Sequence, residues 1–195
     1  IIFKSDNSRI DNSQLKYTGE LSTKPFDLFL KIYLDDYKIS KLFNINPILI
    51  EFIKSGLLFN ENISVDMSAN INSSEKNEIF QNVKINFNIA NGKLNFDNTM
   101  FINNKIGLLK LNNSNLFSQN NNLILNTDIL FEIKNSNHLF SFLNTNKRLR
   151  KKIKNVLVNL DYNFSSNEIK FNDVKINNKD VSDKILNIFN EFNDN

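Results

Sequence analysis

Between Asn82 and Asn113 the chain reads NVKINFNIANGKLNFDNTMFINNKIGLLKLNN. Val83, Ile85, Phe87 and Ile89 occupy alternate positions, with Lys84, Asn86 and Asn88 between them. Asn91-Gly92 follows, and Leu94 and Phe96 resume the alternation. In a strand, side chains two apart share a face, so each run has one apolar and one polar side. Asn-Gly between two such runs predicts a hairpin, because both central residues of the favoured turn need positive φ. The predicted unit is an antiparallel ribbon, and most of the chain repeats it.

Residues 1–13 are polar and weakly patterned, a frayed strand at most. Leu15, Tyr17, Gly19 and Leu21 alternate, and Ser22-Thr23-Lys24-Pro25 breaks the run. Phe26, Leu28, Leu30, Ile32 and Leu34 make the next strand, with Phe29 and Tyr33 on its other side. Asp36 is read as the cap of a helical insertion over 36–55, with Ile39, Leu42 and Phe43 at helical spacing. Asn46-Pro47 opens a second helix over Ile48 to Lys54, and Gly56 ends it as a left-handed cap. Ile48, Leu49, Ile50, Phe52 and Ile53 make that helix apolar nearly all round, so it wants burial on several sides.

Strands resume at Ile63, Val65, Met67, Ala69 and Ile71. Leu123, Leu125, Thr127, Ile129, Phe131 and Ile133 form the longest alternating run, after a turn at Asn120-Asn121-Asn122. Helical spacing returns over 137–150, with Leu139, Phe142 and Leu143. Val156, Val158, Leu160, Tyr162 and Phe164 alternate, Ser165-Ser166-Asn167 turns, and Ile169 and Phe171 return. Residues 182–192 close as an amphipathic helix, with Ser182 as cap and Ile185, Ile188, Phe189 and Phe192 on one face. The stretches from Val83 and from Val156 share a strand–turn–strand plan ending in Ile-Asn-Asn. They read as a repeat of period about 73 residues or as one hairpin grammar used twice.

Composition narrows the chemistry. Hydrophobic residues make up 41% of the 195 positions, enough for a core. There are 18 Phe, no Trp, and Asn is about a fifth of the chain, a bias that points first to AT-rich coding DNA. No apolar run approaches the roughly 20 residues of a membrane-spanning helix. Zero Cys excludes disulfides, thiolate metal sites and Cys nucleophiles. His138 is the only histidine, which leaves zinc hydrolases and zinc fingers without a ligand set. Asp35-Asp36 is a carboxylate pair that a helix cap explains, and no GxGxxG, Walker or G-x-S-x-G pattern is present. The chain is therefore expected to be no enzyme and to carry no cofactor.

The net charge of +3 hides one local feature, a basic cluster of Lys147, Arg148, Arg150, Lys151, Lys152 and Lys154. It reads either as a solvated turn or as a contact for lipid phosphates, where each cation contributes about 1 kcal/mol. The nearest aromatics, Phe140 and Phe142, fit a helix face rather than the interleaving that single-stranded nucleic acid would need, and no nucleic-acid partner is expected.

Four stretches carry a family resemblance: GELSTKPFDLFLKIYLDDYKISKLF from Gly19, SGLLFNENISVDMSANI from Ser55, NGKLNFDNTMFINNKIGLLKLNNSNL from Asn91, and RKKIKNVLVNLDYNFSSNEIKFNDVKINN from Arg150. In this order they resemble the C-terminal part of AsmA-like proteins of proteobacteria with AT-rich genomes. The resemblance implies a periplasmic protein held in the inner membrane by an N-terminal helix. It further implies long β-sheets curled into an apolar groove that passes phospholipids between membranes, and a link to outer-membrane assembly and homeostasis. The chain opens on Ile1, and with that resemblance we expect one AsmA-like segment over 1–195 from a longer protein.

The expected fold is mainly β: a curved antiparallel sheet of about nine to eleven strands forming an open groove, with two or three short helices. An apolar sheet face must be covered by protein or by a guest, and burial of an acyl chain is worth about 0.8 kcal/mol per CH₂. The expected partners are phospholipid acyl chains, facing Val83, Ile85, Phe87, Ile89, Leu94, Phe96, Leu125, Ile129, Phe131, Ile133, Val156, Val158, Leu160, Tyr162 and Phe164. The cluster from Lys147 to Lys154 is the expected contact for anionic headgroups. The rival reading is a structural or adhesive β-sandwich with its function in the loops.

Overall fold

The computed structural model describes residues 1–43, 47–75, 77–120 and 122–191. All twelve strands join one curved sheet. In chain order they are β1 (Ile2–Ile10), β2 (Ser13–Thr23), β3 (Phe26–Asp35), β4 (Ile63–Asn72), β5 (Asn82–Ala90), β6 (Lys93–Asn95), β7 (Met100–Asn103), β8 (Gly107–Gln119), β9 (Asn122–Ile133), β10 (Asn155–Asn163), β11 (Glu168–Ile176) and β12 (Lys179–Asp180). The α-helices are α1 (Pro47–Lys54), α2 (Ser136–Phe142) and α3 (Asp183–Glu191). The count exceeds the expected range because one return strand is split and β12 has two residues.

Strands follow one another across the sheet in chain order, with β6 and β7 sharing the lane between β5 and β8. Every pairing is antiparallel except β3 with β4, which is parallel. The exception follows from the connection 36–62, which is long enough to carry the chain back to the starting end before β4 begins. Residues 1–13, expected to fray, form a regular edge strand and turn, with Phe3 opposite Gly19.

The helical insertion expected over 36–55 forms in two pieces, as the break at Asn46-Pro47 predicts, although the first is a 3₁₀ turn. It comprises 3₁₀ turns at Ile39–Phe43 and Leu57–Phe59 flanking α1. Asp36 is not a helix cap. It sits in the left-handed region at φ 59°, accepts a hydrogen bond from the Ser74 hydroxyl, and receives Ser13 Oγ at its carbonyl, 2.9 Å away. Gly56 takes the expected left-handed conformation at φ 79°. Phe52 of α1 remains 46% exposed, so the expectation of burial on several sides fails there. The proposed caps at Asn46 and the turn residue Asn121 lie outside the described residues, as does Phe192.

The region expected to be helical over 137–150 contains only α2 and a 3₁₀ turn at Lys147–Leu149. Asn135, not a residue of the predicted span, caps α2 by accepting from the N–H groups of Asn137 and His138. Asn144 at φ 52° ends that stretch.

Several asparagines hold turns. Among the described residues the ten non-glycine residues with positive φ are all Asn or Asp: Asp11, Asp36, Asn91, Asn98, Asn113, Asn120, Asn144, Asn167, Asn177 and Asn178. Asn tolerates this region because its short amide bonds locally to the backbone, so it does what glycine does elsewhere. Asn91 (φ 51°) and Gly92 (φ 69°) form the expected hairpin turn.

The split lane is held by side chains. Asp97 Oδ1 accepts from the Ser114 N–H at 2.6 Å and from its hydroxyl at 2.9 Å. Ser114 Oγ receives the Phe96 N–H at 2.7 Å. The Thr99 hydroxyl accepts from the Asn86 N–H and donates to the Asn86 carbonyl. Thr99 and Ser114 are buried, and opposite them β8 carries a bulge between Asn112 and Asn115. Side chains thus replace the ladder bonds that the irregular stretch 96–99 omits, as buried backbone groups require.

Asp97→Ala should lower stability by about 1–3 kcal/mol, since it strips a buried N–H and hydroxyl of their acceptor. A Cβ at Gly107, where φ is 151°, would lie 2.0 Å from the Glu132 carbonyl oxygen. Gly107→Ala should therefore cost at least about 1 kcal/mol. Urea midpoints with unchanged slope check both; unaltered midpoints would show that the split lane carries no weight.

Candidate functional site

Register places the alternating apolar sets of neighbouring strands opposite one another. Leu28 faces Val65, which faces Ile89, which faces Leu94, which faces Leu116, which faces Leu125, which faces Tyr162. Toward the other end of the strands Leu34, Ile71, Val83, Phe101, Leu109, Phe131, Val156 and Ile176 form a second row. Directly opposed residues share a face, so these rows lie on one continuous apolar face running from β2 to β11. Bulges between Asn112 and Asn115 and between Asn159 and Leu160 shift register without moving the apolar set to the other side.

Burial varies along the strands of this face. At one end Val65, Ile89, Leu94, Leu116 and Leu123 form a buried cluster, covered by Ile53, Leu58 and Phe59 from the crossover. At the other, Ala69, Ile71 and Val83 are buried together with Ile39, and Tyr37 and Leu42 pack against them. The connection between β3 and β4 therefore rests on the apolar face at both ends. Away from those clusters burial is uneven: Leu30, Leu111, Ile129 and Val158 are half-buried, as are Leu109, Phe131 and Val156 in the row of Ile71 and Val83, whereas Thr127, Leu160 and Val174 between the two rows are buried.

Of the positions expected to face lipid, Val83, Ile89, Leu94 and Leu160 are buried and act as core. Ile85, Phe87, Phe96, Leu125, Ile129, Phe131, Ile133, Val156, Val158, Tyr162 and Phe164 are half-buried. The Phe87 and Phe96 rings lie 5.3 Å apart, and Tyr162 meets Phe164 edge-on at 4.6 Å. The sheet adds positions the sequence reading left out, chiefly Leu30, Ile32, Met67, Leu109 and Leu111. Those of β3 and β4 carried the same alternation. Those of β8 did not, because Leu108-Leu109 puts apolar side chains on both faces.

The opposite face is polar and cross-linked. Asp128 accepts from Asn113 at 2.7 Å and from Asn159 at 2.8 Å. Asp161 accepts from Asn126 at 2.7 Å and from Asn172 at 3.1 Å, and Asn172 also donates to Asn159. These amide–carboxylate bonds tie β8, β9, β10 and β11 side by side. A concavity of about 650 Å³ on that side is lined by Ile102, Leu108, Leu130, Glu132 and Lys154, among others. Neither feature assembles a nucleophile with a base. Among the described residues no group of three or more His, Asp and Glu is placed to hold a metal. His138 is exposed.

The basic cluster lies in the link between β9 and β10. Its backbone is pinned: Ser136 Oγ donates to the Ile153 carbonyl at 2.7 Å, Asn177 Oδ1 accepts from Lys154 N–H at 2.7 Å, and Arg150 Nε donates to the Thr145 carbonyl at 3.0 Å. Lys147, Arg148, Lys151, Lys152 and Lys154 are exposed, and Arg150 is half-buried. Among the described residues the ion pairs are Lys41–Asp11, Lys54–Glu51 and Lys175 with Asp173 and Asp180, so none uses the cluster. Lys41 and Lys175 have their pKa raised, first by hydrogen bonds to Asp11 and to Asp180 respectively.

Comparison with protein-family models, with curated proteins and with solved structures yields no match.

Replacing Leu94 by Ala should cost about 2–5 kcal/mol, the range for a fully buried leucine. Val158→Ala should cost only about 1 kcal/mol, because the side chain is smaller and not fully buried. Equal losses in thermal or urea unfolding would mean that the apolar face on β10 is as sealed as the cluster around Leu94.

Proposed function

We propose that this chain is a non-enzymatic lipid-handling segment, and that acyl chains lie along the half-buried part of the apolar face on β9 and β10. One observation carries the reading: Ile129, Phe131, Val156 and Val158, on β9 and β10, are half-buried on the same apolar face that the β3–β4 connection seals over β4 to β6. An apolar band on a large sheet normally meets another protein layer. Here all twelve strands belong to a single sheet, whereas a sandwich would divide them between two. A lipid tail on the band would supply the missing cover, at about 0.8 kcal/mol per CH₂.

The reading agrees with the AsmA-like resemblance, which would put the segment in the periplasm, tethered to the inner membrane by a part of the protein outside this sequence. Phospholipid transport or outer-membrane homeostasis is the role it would serve there. No helix of the described residues is long and apolar enough to cross a membrane, and a tether of that kind or protein partners would hold the segment at one.

Native mass spectrometry after gentle extraction should find phospholipid bound to the chain. Ile129→Gln with Phe131→Gln should abolish that mass while circular dichroism stays unchanged. A lipid-free wild type under those conditions would leave a structural module as the better description.

A further inference from the structure

The link between β9 and β10 carries more than charge. Phe142, Leu143 and Leu149 are 52%, 58% and 71% exposed, among the most exposed large apolar side chains of the molecule. They stand within a dozen residues of the exposed cations Lys147, Arg148, Lys151, Lys152 and Lys154. Ile79, 50% exposed, lines a concavity of about 650 Å³ together with Phe142. Glu75 and Glu78 face the same hollow, but the Glu78 carboxylate already receives the N–H and hydroxyl of Ser40.

Three large apolar side chains exposed within eight residues form a cluster, which, unlike a single exposed leucine, points to an interaction surface. Leu149 is 71% exposed, and its 3₁₀ turn buries no residue. The combination of apolar side chains at a tip and unpaired cations behind them fits one partner chemistry, an anionic bilayer. The apolar groups enter the acyl boundary while the cations meet phosphates. The turn is pre-ordered for this by the bonds of Ser136, Asn146, Arg150 and Asn177, so little ordering entropy opposes docking.

We infer that residues 142–154 form a membrane-docking tip that seats the sheet on an anionic lipid surface. The inference builds on the lipid-handling reading and adds where the membrane would be. Ile133 and Val156 bracket the link, so a docked bilayer meets the half-buried band at the ends of β9 and β10. A guest would then pass between membrane and sheet without crossing the sealed cluster around Leu94.

The test is flotation of the whole chain with vesicles of phosphatidylcholine, with and without phosphatidylglycerol. Binding should require phosphatidylglycerol and weaken with salt. Each neutralised cation should weaken it about fivefold, so Lys147→Gln, Arg148→Gln, Lys151→Gln and Lys152→Gln together should weaken it more than about a hundredfold. Leu143→Ser with Leu149→Ser, which leaves the charge unchanged, should weaken it at least about tenfold. These positions are exposed, and circular dichroism of each variant confirms folding. Equal binding to both vesicle types, or full binding by the leucine variant, overturns the tip. So does preferential capture of a DNA duplex by the same cations. Ile129→Gln with Phe131→Gln should leave flotation intact, so loss of lipid pickup and loss of docking are separable failures.

Discussion

The structure depends on phase. A strand has a side-chain period of two, so a single-residue slip anywhere would turn its apolar set outward. From β2 to β11 that slip does not occur, although the path includes a parallel pairing, a split lane and two bulges. The devices that protect phase are local and polar. Asp97, Ser114 and Thr99 bridge the gap in one lane, and Asn113 supplies the left-handed residue that the opposite bulge needs. On the outer side, Asp128 and Asp161 stitch four strands through asparagine amides. The apolar face is continuous because the polar face is carefully wired.

Two kinds of information lay in the sequence with unequal clarity. Alternation located β2, β3, β4, β5, β9 and β10 well, and Asn91-Gly92 announced its turn. The apolar assignments of those strands survive because period two leaves little freedom once one face is greasy. Other features depend on partners distant in the chain. Asp36 looks like a helix cap beside Ile39, but Ser74 and Ser13 hold it in a turn instead. The parallel β3–β4 pairing could not be read from either strand, since it depends on where the connection lands. Burial was the least legible quantity. Leu94 and Ile129 look equivalent in pattern, and only the crossover resting over one of them separates them.

Asparagine is the residue whose role was most undervalued. A bias toward AT-rich codons accounts for its number but not for its placement. With four glycines in the chain, the left-handed corners fall to asparagine, at a modest strain that local amide bonding offsets. The same residue then serves as donor in the cross-strand network. One residue type thus serves both turn formation and sheet wiring.

The two margins of the sheet are finished differently. Along β11, the Asn190 amide of α3 bonds both the N–H and the carbonyl of Phe171, imitating a neighbouring strand, and Val181 occupies the Val174 carbonyl. Along β1 no such imitation occurs among the described residues, and only a bulge and scattered charges discourage approach. Open-ended fibres require every subunit to offer two sticky borders. With the β11 border occupied in this way, joining of copies through that border's backbone is blocked, and a filament cannot grow through it.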